Sequence, residues 1–266
     1  MNTPEATPPP WTPFAILTPR LILLPTPLAI SSRTYRKLYA SLHANPEFCT
    51  MGFGAHFPVR QWTDPETQEV IQTRDIARCW QVRGMGDCAV GLRPPTRPIP
   101  AESASKEITI LTGGDVNSLP CHSPEGLDAI EWVGYAGVRD GTTTSIPPRE
   151  AGDAPLPPWN EMVEVRYGLA PAHWGRGIAA EAAAAVMRWA VAARGVRRFL
   201  AETERPNARS ARALEKLGFR RSGTGYWKEP GEVEWELVVE EETDYVAGYL
   251  SRKKPKEKDK RFVLYT

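Results

Sequence analysis

The passage VEVRYGLAPAHWGRGIAAEAAAAVMRWAV, residues 163–191, limits the fold more than any other part of this chain. Val163, Val165, Tyr167 and Leu169 alternate with Glu164, Arg166 and Gly168, which is the period of a strand with one buried face and one face that carries charge. Pro171 stops the strand, Gly175 and Gly177 flank Arg176, and a helix follows. On that helix Ile178, Ala182, Val186, Trp189, Ala190 and Ala193 form an apolar stripe, and the small alanines let it pack tightly on a sheet. A strand that enters a helix through a glycine loop is the layout of an anion site. The glycines allow backbone N–H groups to converge, the helix start adds the positive end of its dipole, and Arg176 adds a full charge. The loop has neither the Gly-Lys-Ser/Thr end of a P-loop nor the Gly-x-Gly-x-x-Gly spacing of a dinucleotide fold.

The surrounding chain supplies strands and helices in mixed order. Arg20–Leu24 reads as a buried strand, Ser31–Leu42 as a helix behind a serine cap, and Pro65–Val82 as a second helix capped by Thr63 or Asp64. Ile130–Asp140 is a strand interrupted by Gly134 and Gly137, which predicts a bulge or the close approach of another backbone. Val196–Glu204 and Glu232–Val239 are further strands, and Asn207 opens a helix that Gly218 closes. Two stretches rich in Pro, Ser, Thr and Gly, at about 91–126 and 141–159, are long loop insertions, the first containing the strand-like KEITIL. Residues 1–13 read as a disordered proline-rich arm, 14–250 as one enlarged α/β domain, and 251–266 as a charged tail.

Composition narrows the partners. The chain has 33 Lys and Arg against 32 Asp and Glu, so no overall field draws it to nucleic acid or an anionic membrane. Pro19, Arg20, Pro25 and Pro27 break the one apolar N-terminal run, which predicts a cytoplasmic or nucleocytoplasmic protein. Cys49, Cys79, Cys88 and Cys121 lack paired short spacings, and Cys121-His122 has no second ligand pair nearby, so no metal is expected.

Three motifs occur in order: IEWVGYAGVRD, VEVRYGLAPAHWGRGIAAEA and ERPNARSARALEKLGFRRSGTG. Together they resemble the GNAT superfamily of acyl-CoA N-acyltransferases, in its RimJ/RimL-like branch. The resemblance covers residues 130–239, with an N-terminal echo in LTPRLILLPTPL. It implies an α/β (α+β) fold: a mixed, twisted central sheet flanked by helices, with a splayed strand pair that receives acyl-CoA. The family's Gln/Arg-x-x-Gly-x-Gly/Ala loop falls on Trp174, Gly175, Arg176, Gly177, Ile178 and Ala179, with Trp174 at the Gln/Arg position. Its backbone amides would hold the pyrophosphate, and the pantetheine arm would pair with Leu169 and Ala170. Asn207 and Ser210 match a second motif that faces the cofactor arm, although Asn207 is equally an ordinary helix cap.

The resemblance implies acetyl transfer from acetyl-CoA to a primary amine by direct attack, without a metal. Glu164 is the first candidate base, with pairing to a cation as the equal alternative, and Glu229 is the second. Ser210 is the candidate proton donor to the departing thiolate, since Leu214 stands where many relatives carry a tyrosine. A small-molecule amine is the expected acceptor. A protein N-terminal acetyltransferase, a non-catalytic acyl-CoA-binding protein and a homodimer are left open.

Overall fold

The computed structural model describes residues 11–93, 108–117, 119 and 123–239. The proline-rich residues 1–10, the Cys121-His122 pair and the charged tail 251–266 lie outside the described residues. Among the described residues no helix is long and apolar enough to cross a membrane.

Strands β1 (Phe14–Leu17), β2 (Leu21–Pro25), β3 (Asp87–Leu92), β4 (Thr109–Thr112), β5 (Trp132–Asp140), β6 (Val163–Leu169), β7 (Arg198–Glu204), β8 (Arg220–Arg221) and β9 (Glu232–Val238) form one sheet in the order β4-β1-β2-β3-β5-β6-β7-β9-β8. All neighbours are antiparallel except β6 and β7, which are parallel. That exception follows from the helix joining them, because a parallel pair needs a crossover long enough to return the chain to the same end of the sheet.

The main helices are α1 (Arg33–His43), α2 (Pro46–Phe53), α3 (Asp64–Ile71), α4 (Ile178–Arg194) and α5 (Ala208–Leu217). Ser32 caps α1, so the serine cap lies one residue after the Ser31 start read from sequence. Thr63 caps α3 in a reciprocal capping box with Glu66. The helix read over Pro65–Val82 is not uniform: after Ile71 it widens into π-helical turns over Gln72–Trp80 and ends at Arg83 before a left-handed Gly84. The wider turns bury Asp75, Ile76, Cys79 and Trp80. Trp11 packs on Trp80 at 5.6 Å, so the end of the N-terminal arm is seated on the core.

Helix α4 packs on β5 and β6, where Ala182, Ala183, Ala185 and Ala190 are fully buried. Helices α1 and α2 cover the opposite face through Tyr35, Tyr39 and Phe48. The two strand glycines meet the expectation of close backbone approach. A Cβ on Gly137 would lie 2.6 Å from the Asp87 Cα, and one on Gly134 2.9 Å from the Leu169 Cα. The register also shifts between Val90 and Gly91, opposite β5, as a bulge requires. The connector after β5 begins with a short helix, Gly141–Thr144, capped by Asp140, and the first long insertion contains β4 and the short helix Pro124–Asp128.

Asp75 is buried beside Asp87, whose backbone N–H donates to Asp75 Oδ1 at 2.9 Å. Burial, reinforced by the Asp87 charge, pushes the Asp75 carboxyl up to about 8 from an ordinary 3.8. The folded state therefore holds this proton more tightly than the unfolded chain, a contribution to stability present at acid pH and lost as pH rises toward 8. Asp75→Asn keeps an oxygen for the Asp87 N–H and removes the ionisation. Its Tm should exceed that of the wild type at pH 8–9 and approach it near pH 5; an equal difference at both pH values would contradict the buried-proton reading.

Candidate functional site

Strands β6 and β7 stay paired only at Val163↔Phe199 and Glu164↔Leu200, then part. The other edge of β6 fixes which groups face the gap. Gly134 stands opposite Leu169, and the Ala170 N–H donates to Val133 O at 2.9 Å. Antiparallel residues alternate between bonding the neighbour and pointing away, so Val165, Tyr167 and Leu169 direct their backbone N–H and C=O groups into the gap. This corrects the assignment of Ala170 to the cofactor arm. Its N–H is held by Val133, and its carbonyl accepts from the His173 N–H at 2.8 Å. The carbonyl of Leu169 accepts from Trp174 Nε1 at 2.7 Å, which leaves its N–H facing the gap.

Beyond the end of β6, Gly175 and Gly177 adopt φ of 74° and 76°, a left-handed conformation that L side chains resist. Gly177 opens α4 without a side-chain cap, so the first amides of the helix have no partner from within it. Thr18 and Arg20 hold the loop from beneath. Both bond the Glu181 carboxylate at 2.6 Å, and Arg20 also donates to Arg176 O at 2.9 Å. On the other side Arg209 lies 4.8 Å from the Trp174 ring centroid. The Ile178 side chain is buried, and that of Arg176 is exposed. An exposed loop with free amides beside an unpaired strand edge fits a ligand that joins a diphosphate to an extended amide-bearing arm.

Asn207 and Ser210 lie where α5 begins. Asn207 Oδ1 accepts from the Ser210 N–H at 3.0 Å, and its Nδ2 donates to Met51 O at 2.7 Å. Its amide therefore caps α5 and tethers α2 to it, which is the ordinary-cap alternative with a second structural bond added. Tyr167, absent from the sequence candidates, donates to Ser210 O at 3.4 Å. Burial pushes its hydroxyl up to about 12 against the opposing hydrogen bond to Ser210, so it stays protonated at neutral pH.

The strand face expected to carry free charge is covered. Glu164 is 5% exposed and bonded to Arg139 Nε and Nη2 at 2.9 and 2.8 Å, with a further short bond from the Ser145 hydroxyl. Burial alone would raise its pKa, but Arg139 and Ser145 outweigh burial and hold the carboxylate below its usual range. It is the cation pair that the sequence left open, formed with cross-strand Arg139. Glu229 is exposed, and its carbonyl accepts from the Glu232 N–H at 3.2 Å.

A carboxyl pair unmarked in the sequence stands beyond the split. Glu202 of β7 and Glu232 of β9 are half-buried and share a hydrogen bond, and each keeps a buried Oε2 with no other partner. Burial and the neighbouring Glu232 push Glu202 up to about 9, and burial raises Glu232 as well. Since Leu200 is level with Glu164, Glu202 is the first β7 side chain on that face past the point where the strands part. Its odd spacing from the motif residues hides it in sequence, and the strand pairing reveals it.

Residues 132–220 match the profile described as an acetyltransferase (GNAT) domain. An acetyltransferase from Agrobacterium tumefaciens str. C58 is similar in structure, with a TM-score of 0.53 at 19% identity over 90% of this chain and 99% of that one. A GCN5-related N-acetyltransferase from Brucella melitensis gives a TM-score of 0.50 at 17% identity, covering 94% of this chain and 92% of that one. Mycobacterium smegmatis RimJ in complex with CoA-disulfide gives a TM-score of 0.48 at 17% identity, covering 91% of this chain and 93% of that one. The matched segment contains the parted strands, the glycine loop and α5; over these residues the chain is similar to an acetyltransferase (GNAT) domain, and its fold is similar to that of the Agrobacterium tumefaciens acetyltransferase.

Proposed function

We propose that the chain transfers an acetyl group from acetyl-CoA to the primary amine of a small molecule, by direct attack in a ternary complex. The observation that carries this reading is the unpaired edge of β6 beneath an uncapped helix start with two left-handed glycines. The free amides at Gly177, Ile178 and Ala179, with Arg176 beside them, would hold the diphosphate. The edge groups of Val165, Tyr167 and the Leu169 N–H would hold the pantetheine arm as an added strand.

The acceptor meets the thioester on the face that carries Glu202. There the Glu202–Glu232 pair takes the proton from the attacking ammonium, and the nitrogen lone pair attacks the carbonyl carbon. As the carbon–sulfur bond breaks, the thiolate takes a proton through the Tyr167 or Ser210 hydroxyl, which is replenished by the surplus proton on the former amine nitrogen, so the amide, the thiol and the hydroxyl all end neutral. Glu164, locked to Arg139, stiffens the strand pair at the split and is a positioning residue. Helices α1 and α2 roof this face, which favours a small acceptor over a peptide.

Purified protein with acetyl-CoA and a panel of amino acids, polyamines, aminoglycosides and peptide N-termini should release free thiol with at least one small amine. Gly177→Val, strained at a φ of 76° and placing a side chain at the amides, should weaken CoA binding at least tenfold while the strain, about 1–3 kcal/mol, lowers Tm by only several degrees and leaves the protein folded. CoA binding without thiol release from any amine would favour a non-catalytic binding protein, and release with peptides alone would favour the N-terminal acetyltransferase.

A further inference from the structure

On the acceptor face, Arg166 is the first β6 side chain past the last residue pair with β7, as Glu202 is on the opposite strand. Its side chain is 22% exposed, at the point where the strands part. Two contacts hold it: Nε lies 3.5 Å from Asp87 Oδ1, and Nη2 donates to the Tyr135 hydroxyl at 3.4 Å, with the guanidinium 5.1 Å from the Tyr135 ring centroid. Both are long beside the roughly 2.7–2.9 Å of a strong charge-assisted bond, and a guanidinium has five N–H donors. Much of its donor capacity is left for a ligand.

The groups around it are donors as well. Tyr135 accepts from Arg166, which leaves its own hydroxyl proton to give. The Tyr39 ring stands 5.9 Å from that of Tyr135. Behind them the Tyr35 hydroxyl and Asp75 Oδ2 are buried with no partner. Burial holds all three tyrosines above their ordinary range, so they stay neutral donors, and Asp75, raised to about 8, is largely protonated at neutral pH. Arg139 and Glu164 neutralise each other, and Asp87 is the one carboxylate that touches Arg166 among the described residues. A cluster rich in donors and poor in acceptors suits a ligand group made only of acceptors. A planar carboxylate fits best, since it can engage a guanidinium with both oxygens.

We propose that Arg166, with the hydroxyls of Tyr39 and Tyr135, seats a carboxylate on the acceptor, which makes the acceptor an amino acid or another carboxylate-bearing amine. This inference rests on the transferase reading given above. The ammonium end then faces Glu202 and Glu232 while the carboxylate end lies at Arg166, so the two sides of the split sort the two ends of a zwitterion.

The test compares kcat/KM for matched amines with and without the carboxylate: phenylalanine against phenethylamine, and 4-aminobutyrate against propylamine. The wild type should prefer the carboxylate-bearing member of at least one pair by tenfold or more. Arg166→Gln should abolish that preference, and Arg166→Lys should restore part of it through a point charge. If Arg166→Gln does not fold, Tyr39→Phe and Tyr135→Phe provide the test. Each removes one donor to a charged group and should lower the preference about tenfold. Equal turnover within every pair, or a preference that survives these changes, overturns the carboxylate seat and leaves the transferase intact. Absence of thiol release with every amine overturns both.

Discussion

Glu202→Gln is expected to lower kcat about a hundredfold, with CoA affinity and Tm close to those of the wild type. Loss of a positioned base costs a factor of about 10² to 10⁴. The substitution is a narrow one. At neutral pH Glu202 is raised to about 9 and hydrogen-bonded to Glu232, so it already acts as a donor, and an amide can donate to Glu232 in the same way. What the amide cannot do is relay a proton: Glu202 takes one from the substrate only by passing the one it holds to Glu232, and an amide has none to pass. The two carboxyls titrate as one unit, which takes a proton from the arriving ammonium at a pH above the ordinary carboxylate range. The pH profile of kcat/KM should accordingly have an acid limb displaced upward from that range in the wild type and altered in the variant. A kcat within threefold of the wild type would remove Glu202 from proton transfer.

The second large effect is on stability. Arg139→Met leaves the Glu164 carboxylate, 5% exposed, without its two-bond partner. Breaking one side of a buried ion pair costs about 3–5 kcal/mol, which for a domain of this size lowers Tm by about 8–15 °C. The sign with pH is fixed by the direction of the Glu164 shift. A carboxyl held below its usual range contributes stability above its unfolded pKa and loses it as pH falls through the folded value. The Tm penalty of Arg139→Met should therefore be full at pH 7 and shrink in acid. Arg139→Met combined with Glu164→Leu removes both charges and should recover most of the loss. A fall in kcat at unchanged Tm would instead place Glu164 in the chemistry.

The parts of the site legible in the sequence are those fixed by local backbone demands. Gly175 and Gly177 are two residues apart, and the left-handed φ they adopt depends on their lack of a Cβ. The capping box at Thr63 and the alanine face of α4 are likewise local patterns of spacing and size. Glu164 shows where local reasoning stops. Alternation correctly set it opposite Val163 and Val165, but alternation is silent on what covers a face. Ser145, in the segment after β5, bonds its carboxylate, and cross-strand Arg139 claims it.

The sequence by itself determined the order of elements, the strand–glycine loop–helix unit and the resemblance to an acyl-CoA site, because these depend on residues a few positions apart. Only the tertiary structure decided which charged groups face the parted strands. Arg166, Glu202 and Glu232 come from three strands, and strand pairing sets them on one face, with Tyr39 and Tyr135 beside Arg166. The physical reason is that the charge state and partners of a buried group depend on what desolvates it and what stands across from it, and both arrive from distant parts of the chain.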